Sequence, residues 1–154
     1  MSCLINKRFT CPCCGYPTLD EKDSYDICLL CDWEDDGQDD LDADYIRGGP
    51  NGNYSLTEVR ENFIKYLIMY SPGRDKRLTG GDTKEEVEVK KQLIIVYEDI
   101  AKEKDSMKID KLWILAYGLE DRLYKITSDK IKEYENNLKK IESSIYKVNF
   151  NLER

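Results

Sequence analysis

Six cysteines stand in this chain of 154 residues, and four of them are spaced for chemistry. Cys11-Pro12-Cys13-Cys14-Gly15 and Cys28-Leu29-Leu30-Cys31 carry two C-x-x-C pairs, with thirteen residues between them. A thiolate pair two residues apart wraps around one ion while turn amides hydrogen-bond its sulfurs, and a second pair completes a tetrahedron. The spacing predicts one metal site with Cys11, Cys14, Cys28 and Cys31 as ligands, holding a structural Zn2+ or, as the alternative, iron. Cys13 sits between two ligands and is expected to point away from the ion as a small buried thiol, a redox or substitute-ligand role being the sharper reading. Cys3 has no spaced partner and reads as incidental.

A second group of reactive types follows at once. Asp32, Glu34, Asp35, Asp36, Asp39, Asp40, Asp42 and Asp44 place eight carboxylates in thirteen positions. Asp32-x-Glu34-x-Asp36-Gly37 imitates the start of a calcium loop, but the twelfth position is Ala43, where a bidentate Glu is required. The run therefore reads as a solvated acidic loop and, functionally, as a docking surface for a basic protein. A metal-dependent hydrolase is a further alternative, which needs carboxylates from separate elements converging on one ion. No catalytic residue is assigned.

Charge supports the docking reading over nucleic-acid binding. Residues 1–54 carry four Lys/Arg against twelve Asp/Glu, a net of −8, whereas residues 55–154 carry twenty against nineteen. Such an acidic module repels phosphate backbones, and the helical remainder offers no basic patch. The absence of histidine excludes Ser-His-Asp catalysis and His-ligated catalytic zinc. No apolar run reaches the 18 or so residues of a membrane span. The first residues lack the long apolar core of a signal peptide, and paired C-x-x-C spacing suits a reducing compartment, so a cytoplasmic protein is expected.

The elements that position these groups divide the chain at about residue 54. Residues 1–54 form the cysteine module with its acidic loop, in which Trp33 is placed to cover the metal site. Ser55-Leu56-Thr57-Glu58 and Thr83-Lys84-Glu85-Glu86 have the capping-box form. Apolar spacing after each predicts helices over about 56–70 and 84–104, with 71–82 as a linker. Further periodic runs predict helices over about 108–126 and 128–148, joined at Thr127-Ser128 into an antiparallel hairpin. The expected fold is α+β, a zinc-ribbon-like module followed by a mainly helical domain. The stripe along the last helix is expected to serve the core, with homodimerisation through the C-terminal helices as its other use. Gly118 reads as a site of close helix approach or a kink. Of the eleven tyrosines, those on the helices (Tyr66, Tyr70, Tyr97, Tyr117, Tyr124, Tyr134 and Tyr146) are expected mostly in the core.

The run Phe9-x-Cys11-Pro12-Cys13-Cys14-Gly15-Tyr16, with Ser24-Tyr25-x-Ile27-Cys28-x-x-Cys31-x-Trp33-Glu34-Asp35-Asp36-Gly37, Gly48-Gly49-x-Asn51 and Ser55-Leu56-x-Glu58-x-Arg60-x-Asn62-Phe63, resembles the bacterial cysteine-rich CPCC family over about residues 9–63. The resemblance implies a small zinc-ribbon or rubredoxin-like module and brings no catalytic residues with it. Cys-Pro-x-Cys-Gly-Tyr is also similar to a rubredoxin knuckle, which makes an iron electron carrier the alternative function. The leading expectation is a zinc-binding interaction protein of inhibitor or toxin-neutralising type, with a basic protein as its partner.

Overall fold

A computed structural model describes residues 4–5 and 8–152 of the chain; Cys3 lies outside them. Three short antiparallel strands, β1 (Leu4–Ile5), β2 (Arg8–Thr10) and β3 (Pro17–Leu19), form a sheet in the order β1-β2-β3, and the first knuckle is the turn between β2 and β3. Single 3-10 turns at Asp40–Asp42 and Gly49–Asn51 shape the acidic loop. Three helices follow: α1 (Leu56–Tyr66), α2 (Lys84–Lys102) and α3 (Ser106–Leu152). This is α+β, with the four cysteines at the N-terminal side.

Two helix starts follow from their caps. The Ser55 hydroxyl accepts from the Glu58 amide at 3.1 Å. Thr83 and Glu86 satisfy each other's amides, both at 3.1 Å. Helix α1 stops four residues short of the expected end at Tyr70. Leu67 takes a left-handed conformation with φ 56°, and its N–H bonds the Phe63 carbonyl. The chain turns here because residues 67–71 are recruited elsewhere. The Met69 amide donates to the Cys31 carbonyl at 2.9 Å, and Asn62 Nδ2 holds the Met69 carbonyl at 2.8 Å.

The expected break at Thr127-Ser128 is absent. One helix of 47 residues, α3, replaces the two runs at 108–126 and 128–148. Thr and Ser lower helix propensity by only about half a kcal/mol each, and neither Pro nor Gly lies between Leu119 and Leu152 to force a stop. The antiparallel hairpin is instead formed by α2 and α3 across Glu103–Asp105, where the Asp105 carboxylate caps the amides of Met107 and Lys108. Gly118 is exposed, and a Cβ there would meet nothing within 4 Å, so it does not mark close helix approach.

One continuous core joins the cysteine module to the helices. Cys11, Cys28, Leu30, Cys31 and Trp33 share it with Leu56, Val59 and Phe63 of α1, Leu93, Tyr97 and Ile100 of α2, and Trp113 and Ala116 of α3. Tyr16, from the first knuckle, stacks on Tyr97 at 5.9 Å and meets Phe63 edge-on at 6.2 Å. Most helical tyrosines do not enter the core. Tyr97 is buried and Tyr70 and Tyr134 half-buried, but Tyr66, Tyr117, Tyr124 and Tyr146 are exposed. The core is closed by Leu, Val and Trp instead, which leaves those rings on outer faces.

Residues 71–82 are more than a linker. Arg77 bridges Asp75 and Asp82 at 2.6 Å each, and Asp82 also pairs with the buried ammonium of Lys90 on α2. Burial opposes ionisation of Asp82, but Lys90 and Arg77 together pull its carboxyl below the ordinary range. Among the described residues no helix is long and apolar enough to cross a membrane.

Candidate metal centre

The two C-x-x-C segments fold into equivalent knuckles. In the first, the Cys11 amide donates to the Tyr16 carbonyl at 2.9 Å and the Gly15 amide to the Cys11 carbonyl at 2.8 Å. In the second, the Cys28 amide donates to the Trp33 carbonyl and the Asp32 amide to the Cys28 carbonyl, both at 2.9 Å. Each turn needs a positive φ one residue after its second cysteine. Gly15 supplies 79° without strain. Asp32 supplies 69°, which costs an L residue about 1–2 kcal/mol.

What holds Asp32 there is a contact from far along the chain. The Tyr70 hydroxyl donates to its carboxylate at 2.6 Å. Burial raises the Asp32 carboxyl above its ordinary range, against the pull of this bond. Asp32→Val, which adds β-branching at a left-handed residue and removes the acceptor, is therefore expected to destabilise the metal-loaded protein by about 2–4 kcal/mol. Asp32→Gly relieves the backbone and should cost about 1–2 kcal/mol through the lost bond alone. Urea unfolding of both variants checks the order; equal losses would mean that the backbone carries no strain.

The four predicted ligands converge. Their sulfurs all lie within 4.8 Å of one another, with Cys11–Cys31 at 3.6 Å and Cys14–Cys28 at 3.7 Å. A tetrahedral ion at a metal–sulfur distance of about 2.3 Å requires sulfurs about 3.8 Å apart, so the donor set fits such an ion. Cys13 is outside the group: it is buried, and its thiol faces the Val59 carbonyl at 3.5 Å. Leu30 and Trp33, both fully buried, belong to the same core as the cysteines.

Electrostatics inside the cluster favour a cation. Burial pushes the Cys11, Cys14 and Cys31 thiols well above their usual range. Burial also opposes the Cys28 thiolate, but hydrogen bonds from the other three cysteines and from the Thr18 hydroxyl, at 3.0 Å, bring it well below. Four neighbouring thiolates repel one another, and a bound divalent ion is what allows all of them to ionise.

The acidic loop is drawn inward by its own carboxylates. Asp35 is buried and accepts from the Asp23 amide at 2.8 Å; Asp36 accepts from the Gln38 amide at 3.0 Å. Asp39 caps the 3-10 turn, Asp40 pairs with Arg60 at 2.7 Å, and Asp42 pairs with Arg47 at 2.6 Å. Asp44 takes the Thr57 hydroxyl, while the Glu34 backbone is gripped from both sides by the buried amide of Asn51, at 3.0 and 2.7 Å. Among the described residues, the four cysteines are the only His/Cys/Asp/Glu group of three or more whose ligand atoms converge, and the eight carboxylates do not form a second one.

Sequence reasoning missed Asn51, Tyr70 and Met69 as supports of the centre. Asn51 was legible only as a turn residue, although a buried amide copying a strand pairing is a known use of Asn. These features define a closed four-cysteine cluster, able to hold a metal ion and braced by a helical hairpin. Residues 9–77 match the family model described as Cysteine-rich CPCC, so the N-terminal region is similar to that family. The match runs past residue 63 to take in Met69, Tyr70 and Arg77, the segment that returns to the second knuckle. No curated protein and no solved structure matches the chain.

Proposed function

We propose that the four thiolates hold one structural zinc ion in a zinc-ribbon-like module, and that this clamp presents the acidic loop to a basic protein partner. Closure of the site supports the metal assignment: Cys11, Cys28 and Cys31 are buried, four sulfurs complete the tetrahedron, and no position is left open for substrate. A rubredoxin-like iron carrier uses a similar pair of knuckles. Metal analysis after anaerobic purification from the native host separates the two, with one zinc per colourless chain expected.

The observation that carries the docking role is the loop's outer surface. Internal hydrogen bonds fix its backbone, while Leu41 is fully exposed, at 102%, beside Tyr45 and Ile46, also exposed, and among Asp39, Asp40, Asp42 and Asp44. Apolar anchors inside an acidic rim suit a basic partner with an apolar contact point, as an inhibitor or toxin-neutralising protein would need. Capture from native-host lysate tests this reading with wild type and the triple variant Leu41→Ala, Tyr45→Ala, Ile46→Ala. Basic proteins should be retained by wild type in a salt-sensitive manner and lost by the variant, whose metal content should stay at one per chain. Equal retention by both would overturn the proposal.

A further inference from the structure

The second half of α3 leaves the body of the protein. Trp113, Ala116, Glu120 and Leu123 face α2 and the core, and Lys130 still reaches back to Glu86 at 2.7 Å and to the Gly81 carbonyl at 3.1 Å. From residue 135 to residue 152 every position is exposed. Yet this segment is not polar all round. Ile131, Tyr134, Leu138, Ile141, Ile145, Val148 and Leu152 recur in strict steps of three and four, with Leu138 at 41% and Leu152 at 78% exposure.

On a helix of 3.6 residues per turn this stripe continues the face that packs on α2, because two successive steps of four, Leu123 to Thr127 to Ile131, offset the drift of a strict heptad pattern. Continued in heptads from Trp113, Ala116, Glu120 and Leu123, that seam would bring Thr127, Lys130, Asn137 and Ser144 inward alongside Tyr134 and Ile141. The apolar positions instead skip from Thr127 to Ile131 and keep their new phase to the end of the helix. That step holds the stripe on the same side of α3 past the N-terminal end of α2, and from residue 135 onward it stays exposed.

We propose that residues 131–152 of α3 pair, parallel and in register, with the same segment of another copy of this chain, with Ile131, Leu138, Ile145 and Leu152 at the a positions and Tyr134, Ile141 and Val148 at the d positions of a coiled coil. Three heptads of unbroken a/d pattern meet the minimum for such a seam. The flanking residues select the orientation. Positions e hold Glu135, Glu142 and Asn149, and positions g hold Lys130, Asn137, Ser144 and Asn151. Parallel strands place g against e, which sets Asn137 near Glu142 and Ser144 near Asn149 without a like-charge pair. Antiparallel strands place e against e and oppose Glu135 to Glu142, two acids against two acids. Five of the six b and c positions, Lys132, Glu133, Lys139, Lys140 and Lys147, keep the outer face charged, the sixth being Tyr146. β-Branched Ile141 and Val148 at d admit a third strand. Parallel pairing gathers the cysteine modules at one end of the assembly, where two or more acidic loops face a partner together.

The full metal-loaded chain tests this by sedimentation equilibrium. Wild type should sediment as a dimer or trimer, and Leu138→Asp with Ile145→Asp as a monomer with metal content and near-UV circular dichroism unchanged. Lys139→Asp, on the outer face, should leave the mass as in wild type. Oxidised Leu152→Cys should form an interchain disulfide that wild type does not, because only parallel strands bring the two ends within disulfide reach. A monomeric wild type, an oligomer that survives the double Asp substitution, or no cross-link at residue 152 would each overturn the proposal. These readouts are independent of whether the acidic loop binds a partner.

Discussion

Cys31→Ser is expected to abolish metal binding and to unfold the region around it, the largest effect of any single substitution in this chain. Structural zinc sites contribute apparent free energies of about 10–16 kcal/mol, as much as the whole stability of an ordinary domain. Cys31 is fully buried, and its carbonyl also receives the Met69 amide, so the second knuckle and the segment after α1 lose their anchor together. The damage should not stop at the module. Leu93 and Tyr97 of α2 belong to the same core as Cys11, Cys28 and Trp33. Hydrogen exchange should therefore show α2 losing protection along with residues 9–35, and metal analysis should fall from one ion per chain to none. A chelator added to wild type should reproduce both results. Full protection of α2 in the metal-free protein would show that the helices stand without the centre.

Glu120→Ala should cost about 3 kcal/mol, because it strips the buried counter-charge from a half-buried guanidinium and the acceptor from the buried Tyr97 hydroxyl. Arg8 of β2 donates to both oxygens of the buried Glu120 carboxylate on α3 while lying over the rings of Trp113 and Tyr117, at 5.3 and 5.2 Å. Tyr97 of α2 donates its hydroxyl to the same carboxylate. Three elements thus meet at one acid. The double variant Arg8→Met, Glu120→Leu should recover much of the loss, since well-packed apolar residues replace a buried pair with little net cost. Denaturant unfolding of the three proteins checks both statements, and a mild Glu120→Ala would show that the pair is solvated.

The same cluster sets a pH dependence. Burial, with the Glu120 carboxylate beside it, pushes the Tyr97 hydroxyl far above its ordinary value, and burial with Glu98 pushes Tyr16 up to about 12. A raised folded value means that the stabilisation is fully present below the unfolded value of about 10 and is lost as pH rises beyond it. Stability should fall above pH 10 by up to about 1.4 kcal/mol per pH unit for the buried Tyr97, and by less for Tyr16, whose bond to Glu98 is exposed to solvent. Tyr97→Phe should flatten that decline while lowering stability at neutral pH.

The family resemblance and the convergence of the four cysteines were legible because their information is local. Cys11, Cys14, Cys28 and Cys31 announce themselves by spacing, and the caps at Ser55 and Thr83 by residues three apart. The return of residues 67–71 was not legible, because nothing in Leu67-Ile68-Met69-Tyr70 says that its amide and hydroxyl will be used by a knuckle almost forty residues earlier. The carboxylates at Asp32–Asp44 announced a charged loop, but not that most of them would be spent on its own amides and arginines. Spacing misled the reading of the last helices: both halves show three-four spacing, and Thr127-Ser128 between them read as a tight connection.

By itself, then, the sequence determined the four-cysteine cluster, the acidic character of the loop, two helix starts and the apolar stripe of the C-terminal helix. Tertiary structure alone decided that Asp32 takes the place of a second glycine, that Arg8 and Glu120 meet across the core, and that α3 runs unbroken beyond its last neighbour. The physical division is one of range. Spacing and caps act between residues a turn or two apart, whereas a left-handed Asp, a buried ion pair and the end of a helix depend on which distant groups are there to hold them.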